Sequence, residues 1–225
     1  MRDTMVNIWY QARLLFGWAH LAVPLLLAAA LLLGQGEQAG LSAFQLTRWL
    51  EILVPLVGAW LAAPILGRDR DLGLAELQAV RLRGLERQTL TRYALSILYI
   101  VSAVSLLAWA AGGQGRNLRF LIGLVISVLP SLLFFSMLAM ASALAAASMA
   151  AGFTVAALLW GTFVTCSLLT KATWFMNWVT PFPKLFGLAG ALFLVNRFIY
   201  LVAWVVVGLS CRILLRTRYV GSNKD

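Results

Sequence analysis

The stretch that decides the fold runs from Phe120 to Thr170 and reads FLIGLVISVLPSLLFFSMLAMASALAAASMAAGFTVAALLWGTFVTCSLLT. It contains 51 residues and not one charged side chain. An uncharged run of more than roughly 18 residues is typical of a membrane span, and about 20 helical residues cross a hydrocarbon core. The run is therefore suited to two crossings. We expect the turn between them at the small, weakly polar residues 148–152.

The composition of the whole chain agrees with this interpretation. Of 225 residues, 62% are hydrophobic and 12% are charged, and the mean hydropathy is +0.88. A soluble domain carries about 25% charged residues because they must cover its surface. The sequence therefore predicts an all-α integral membrane protein that forms a single transmembrane domain over residues 1–225.

Working outward from the central run, the remaining apolar stretches predict four further spans. The six predicted transmembrane helices cover about 15–33, 42–66, 94–111, two crossings within 120–170, and 188–215. Residues 1–14 mix charged and apolar side chains and are predicted to form an interfacial amphipathic helix. Residues 171–187 are rich in Trp, Phe and Pro, which suits an aromatic outer loop at the membrane interface or a re-entrant excursion.

The formal net charge of +10 is explained by the distribution of basic residues around these spans. If the N-terminus is inside, the inner side carries 12 of the 18 Lys and Arg residues. The positive-inside rule then favours both termini in the cytoplasm. We expect the protein to lie in a bacterial inner membrane or a plasma membrane. Because this distribution accounts for the charge, nucleic acid is not expected as a partner.

The most charged part of the chain, residues 67–93, is predicted to lie on the cytoplasmic side between the second and third spans. It begins GRDRDLGLAELQAVRLR, and its interleaved leucines favour a surface-lying helix. This segment resembles the cytoplasmic signature of the type 2 ABC exporter permeases, with an acidic-basic pair, a Gly, a Glu-Leu and a basic cluster. The residues that carry the resemblance are Asp69, Arg70, Gly73, Glu76, Leu77, Arg81 and Arg83. Many members of the family have a Pro near the position of Leu82, and this chain does not.

The resemblance implies that residues 67–93 contain a coupling helix that docks on a separate ABC ATPase subunit. It also implies a second permease copy, identical or similar, and export of a lipid-like, peptide or other amphiphilic substrate. The sequence contains no GxxxxGK[ST] motif, so ATP and Mg are expected on the partner ATPase and no cofactor on this chain. A heme-exporter-type permease of cytochrome maturation and a non-transporting subunit of a membrane complex are the alternatives. A basic loop that only fixes the topology is the simpler interpretation of the segment.

Two ionisable residues fall inside predicted spans. Glu51 lies in the outer third of the second span, and Arg197 lies some nine residues into the last one. A charge at that depth costs several kcal/mol unless it is paired, hydrated or able to snorkel. Glu51 and Arg197 are therefore a candidate intramembrane pair or the lining of a polar path. The alternative is that the last helix begins later and Arg197 reaches the headgroups.

No catalytic or metal-binding constellation is predicted. His20 is the only histidine, and no Cys, Met or carboxylate stands near it at ligand spacing. No His or carboxylate is spaced to activate a serine nucleophile. An intramembrane enzyme would require clustered His, Asp or Glu at membrane depth, so this class is disfavoured, and membrane lipids are the remaining expected partners.

Overall fold

The computed structural model describes residues 43–65, 82–110, 117–169, 180–183 and 190–220. Within them the chain forms five helices: α1 (Ala43–Ala62), α2 (Leu82–Ala110), α3 (Leu118–Ala146), α4 (Met149–Leu169) and α5 (Gly190–Val220). These ranges contain no strand. The predicted all-helical fold class is confirmed for this part of the chain.

Four of the five helices, α2 to α5, are long and apolar enough to cross a membrane. Their large apolar side chains are widely exposed in the isolated chain, for example Leu106, Leu158 and Phe198 at 66–67%. Exposed apolar surface on this scale indicates a protein embedded in a membrane. α1 occupies the predicted second span but does not reach the same hydropathy. The predicted first span and the interfacial helix 1–14 lie outside the described residues.

α3 is the central helix of the bundle and contacts the other four. Gly58 of α1 lies against Leu132, and Gly208 of α5 lies near Met137, so α1 and α5 run in the same direction as α3. α2 and α4 run in the opposite direction. This alternation is what successive crossings of one bilayer produce. We refer to the two ends of the bundle as the Glu51 end and the Glu86 end.

The predicted turn in the long uncharged run is present, and its geometry shows why it is so tight. Ala147 ends α3 in the left-handed conformation, with φ 54° and ψ 30°. The amide of Ser148 donates to the Ala143 carbonyl at 3.1 Å, which closes a Schellman motif. The Ser148 hydroxyl then accepts from the Ala151 amide at 3.3 Å and caps α4. Two caps on adjacent residues reverse the chain without a longer loop.

Gly152 does not form part of this turn, although it lies within the predicted range. It lies in α4, where a Cβ atom would come within 2.5 Å of both the Ala139 carbonyl oxygen and the Ala143 side chain. The absence of a side chain thus allows the backbones of α3 and α4 to approach closely. This contact makes small residues of α3 and α4 a packing face between the two helices.

Two predicted helix boundaries differ from the structure. α2 begins at Leu82, so residues 82–93 continue directly into the predicted third span. The reason is tertiary packing: Thr89, Arg92 and Tyr93 are buried in the bundle. α5 likewise continues to Val220, five residues past the predicted end of the last span.

Candidate functional site

The first charged side chain of the candidate site is Glu51, in the first half of α1. Its side chain is only 1% exposed. Pro55 lies one turn further along α1 and cannot donate the helical hydrogen bond to the Glu51 carbonyl. Nearby, the indole nitrogen of Trp160 on α4 donates to the Ile52 carbonyl at 2.7 Å. The turn that carries the buried carboxylate is therefore held by a neighbouring helix as well as by its own backbone.

Arg197 on α5 enters the same region, on the face of α3 that also meets Glu51. Its side chain is 4% exposed, and its Nη2 atom lies 4.0 Å from Glu51 Oε1. The same Nη2 donates to the Pro181 carbonyl at 3.0 Å, and Nη1 donates to the Ser131 hydroxyl at 2.8 Å. The guanidinium also lies 5.5 Å from the centre of the Phe193 ring. Arg197 is thus held inside the bundle and does not extend outward to a headgroup.

Two serines of α3 complete the ionic contact. Ser127 donates a hydrogen bond to Glu51 Oε1, and Ser131 donates to the Pro181 carbonyl at 2.7 Å. These serines are one helical turn apart and face the same side of α3. We call Glu51, Ser127, Ser131, Arg197 and the Pro181 carbonyl the polar cluster.

The short segment 180–183 is fixed against the polar cluster. Asn196 donates from Nδ2 to the Thr180 carbonyl at 2.9 Å, and the Thr180 hydroxyl accepts from the Phe182 amide at 3.2 Å. Thr180 and Phe182 are fully buried. A stretch that the sequence assigns to an outer loop is therefore inserted among the helices at the Glu51 end.

The polar cluster joins α1, α3, α5 and segment 180–183 through charge-assisted hydrogen bonds in a water-poor environment. Such bonds are roughly twice as strong as neutral ones, and a buried charge that loses its partner is costly. The arrangement can therefore hold the Glu51 end closed. A motion that separates α5 from α1 would break the contact between Glu51 and Arg197 at a high cost in free energy.

A second ionic group lies at the other end of the bundle. Glu86 of α2 accepts a hydrogen bond from Arg216 Nε at 2.9 Å, and its second oxygen lies 3.5 Å from Arg212 Nε. Both arginines are 57% exposed and Glu86 is 31% exposed. Arg212 and Arg216 are four residues apart, so they share one face of α5. This group joins α2 to α5 in a solvent-accessible setting.

α2 is also tied to the centre of the bundle. The Tyr93 hydroxyl donates to the Leu133 carbonyl at 3.0 Å and lies 2.9 Å from the Ser136 hydroxyl. The Arg92 guanidinium reaches the Ile65 carbonyl at the end of α1. The Glu86 end of α2 is thus connected to α1, α3 and α5.

The residues predicted from the sequence fall into two groups. The structure brings Glu51 and Arg197 together. Six of the predicted coupling residues lie outside the described residues: Asp69, Arg70, Gly73, Glu76, Leu77 and Arg81. The backbone of Arg83 forms part of the first turn of α2, and its side chain is not described.

Sequence reasoning missed Ser127, Ser131 and the Pro181 carbonyl as members of the site. A signal was present, since two serines spaced by four residues interrupt one face of an otherwise apolar helix. The interpretation of residues 120–170 as two generic spans gave them no role. A carbonyl acceptor carries no side-chain signal at all.

Comparisons with protein-family models, with curated proteins and with solved structures find no match to this chain. The site is therefore interpreted from its own chemistry. Among the described residues, no group of three or more His, Cys, Asp or Glu side chains is arranged to hold a metal ion.

Proposed function

We propose that this chain is the transmembrane subunit of an ATP-driven exporter of the ABC type. In this proposal a separate ATPase docks on the segment between α1 and α2, and two permease copies move an amphiphilic substrate out of the cytoplasm. The sequence feature behind it is the charged signature from Asp69 to Arg83 between two apolar helices. The structural observation that carries it is the continuity of α2.

α2 begins at Leu82, immediately after this segment, and continues without interruption to Ala110. From Leu82 to Tyr93 the helix extends roughly 16 Å at 1.5 Å per residue. Along that length it is bonded to α5 through Glu86 and to α3 through Tyr93. A displacement of the start of α2 would therefore be transmitted to the central helix.

The polar cluster is the part of the bundle that such a motion would change. α3 is tied to α2 through Tyr93 at one level and to Arg197 through Ser131 nearer the other end. In the proposed cycle, movement of α2 shifts α3 and α5 and loosens the closed Glu51 end. The buried ion pair then re-forms when the ATPase resets.

The proposal is tested by copurification of the tagged chain from its native membrane. We expect an ATPase of the P-loop type to copurify with the wild-type chain, and the charge reversals Asp69→Arg and Glu76→Arg to reduce its recovery strongly. Glu37→Arg is the matched control, because Glu37 is predicted to lie on the opposite side of the membrane. Full recovery of the ATPase with both reversals would refute the docking role of residues 67–83.

A second experiment tests the orientation on which docking depends. Single cysteines at Gly73 and Gly113, in a chain with Cys166 and Cys211 replaced, are labelled with a membrane-impermeant maleimide in intact cells. We expect labelling at Gly113 only. Labelling at Gly73 would place the proposed docking segment outside and exclude a cytoplasmic ATPase.

A further inference from the structure

A cavity of about 580 Å³ lies between α2 and α5, at the Glu86 end. Its inner wall is formed by Met137 and Met140 of α3 and by Tyr93 and Trp204. α2 and α5 contact each other only sparsely, since α5 packs mainly on α3 and α2 packs on both α1 and α3. Among the described residues, the gap is therefore a groove that opens sideways, away from α3.

The chemistry of the groove changes along its length. Its deep part is lined by methionine, leucine and aromatic side chains, and Gly208 leaves room on the α5 side. Its mouth is lined by Glu86, Arg87 and Arg212, and Arg216 also bonds Glu86 there. One carboxylate against three guanidinium groups leaves a net positive charge at the mouth.

A polar donor lies within the deep part as well. The indole nitrogen of Trp204 is buried and interacts with the Tyr93 hydroxyl, but it forms no hydrogen bond of normal geometry with any residue that the structure describes. A buried N–H without a well-aligned acceptor is costly, and an ester or hydroxyl oxygen of a ligand would satisfy it. Methionine side chains, which are flexible and polarisable, adapt well to a chain with several conformations.

We infer that this groove binds one anionic phospholipid from the adjacent leaflet. One acyl chain lies between α2 and α5 against Met137 and Met140, and the phosphate lies at the mouth near Arg87 and Arg212. The apolar depth matches the tail, and the net positive mouth matches the headgroup. The inference depends on the groove alone and holds whether or not the chain is an ATP-driven exporter.

The test uses the purified full-length chain, without any ATPase, in nanodiscs of phosphatidylcholine. Trace phosphatidylglycerol with a photoreactive diazirine in one acyl chain is added, and labelled peptides are mapped by mass spectrometry. We expect labelling at Met137, Met140 and the α5 residues around Gly208. The same probe with a choline headgroup is expected to label these positions less.

Two glycine substitutions form the matched pair for the tail. A Cβ added at Gly208 would lie 3.7 Å from Met137 Cε, in ordinary van der Waals contact with the wall of the groove, whereas a Cβ added at Gly161 of α4 meets no described residue within 4 Å. We expect Gly208→Phe to fill the groove and abolish its labelling, and Gly161→Phe to leave it unchanged. Equal labelling in both variants would overturn the proposal.

The headgroup is tested with Arg87→Gln and Arg212→Gln, and with Arg119→Gln at the Glu51 end as the control. Each substitution of a mouth arginine is expected to lower the preference for phosphatidylglycerol over phosphatidylcholine about fivefold. Arg119→Gln should not change it. An unchanged preference in both mouth variants would refute recognition of the phosphate.

Other occupants give distinct results that also overturn the proposal. If a second copy of the chain fills the groove, Gly208→Phe converts a dimer to a monomer on size-exclusion chromatography and lipid labelling is absent in the wild type. If a segment of the same chain fills it, the wild type again shows no lipid labelling, and a diazirine amino acid at position 208 crosslinks within the chain.

Discussion

The bundle contains two ionic groups with similar chemistry and opposite surroundings. At one end Glu51 and Arg197 are 1% and 4% exposed, and at the other Glu86 meets Arg212 and Arg216 at 31% and 57% exposure. The exposed group has the shorter contact, 2.9 Å against 4.0 Å. Contact length alone does not predict how much an ion pair contributes to the free energy of unfolding. We expect burial to matter more, because a charge in a water-poor site cannot be resolvated when its partner is lost.

The two groups therefore suit different tasks. The polar cluster around Glu51 is costly to separate, because its charges are buried, and this makes it suitable as a closure. The group around Glu86 tolerates rearrangement, since water can replace any of its contacts. An exposed ionic group such as the one around Glu86 therefore suits a helix end that must move against a partner or make room for a lipid headgroup.

The largest effect is expected from breaking the buried pair. Glu51→Leu leaves the Arg197 guanidinium buried without its carboxylate and should lower the free energy of unfolding by about 3–5 kcal/mol. The measurement is SDS-induced unfolding in mixed micelles. The double variant Glu51→Leu with Arg197→Met should be closer to wild type, and a double variant as unstable as the single one would contradict this account.

A smaller effect is expected from removing the serine that bridges Arg197 to segment 180–183. Ser131→Ala removes the acceptor for Arg197 Nη1 and the donor for the Pro181 carbonyl, and should cost about 1–3 kcal/mol in the same assay. Ser210→Ala serves as the control, because the exposed Ser210 hydroxyl bonds only a carbonyl of its own helix among the contacts the structure records. Equal losses in the two variants would show that burial is not the deciding factor.

The buried hydroxyl of Tyr93 gives an intermediate case, since it is neutral but buried. Tyr93→Phe removes its bonds to Leu133 and Ser136 while keeping the ring in place, and should cost about 1 kcal/mol. Ser136 retains a bond to the Leu132 carbonyl of its own helix at 2.6 Å, which limits the loss. A cost as large as that of Glu51→Leu would mean that the polar contact of α2, and not the ion pair, dominates the bundle.

The smallest effect is expected at the exposed group. Glu86→Gln should lower the free energy of unfolding by less than about 1 kcal/mol. The loss should shrink further in about 1 M salt, where the Debye length is about 3 Å. Unfolding measured at low and high ionic strength checks this. A loss that persists in high salt would show that Glu86 is shielded from water in the membrane-bound protein.

Much of the helical architecture could be predicted from the sequence. The uncharged run from Phe120 to Thr170 was assigned two helices with a turn near Ser148, and the structure has both helices and a turn at Ala147 and Ser148. The start of α2 could not be predicted in the same way. The charges between Glu86 and Arg92 suggested a surface segment, whereas tertiary contacts bury Thr89 and Tyr93 and extend the helix to Leu82.

The sequence by itself determined that most of these helices are apolar enough for a membrane, because hydrophobic length is a property of consecutive residues. It also named Glu51 and Arg197 as a candidate pair, since charges at such depth require compensation. Only the tertiary structure decided that Ser127, Ser131 and the Pro181 carbonyl supply that compensation, and that α2 and α5 separate to leave a groove. These contacts join residues 16 to 130 positions apart, and no local pattern specifies which surfaces of equally apolar helices will meet.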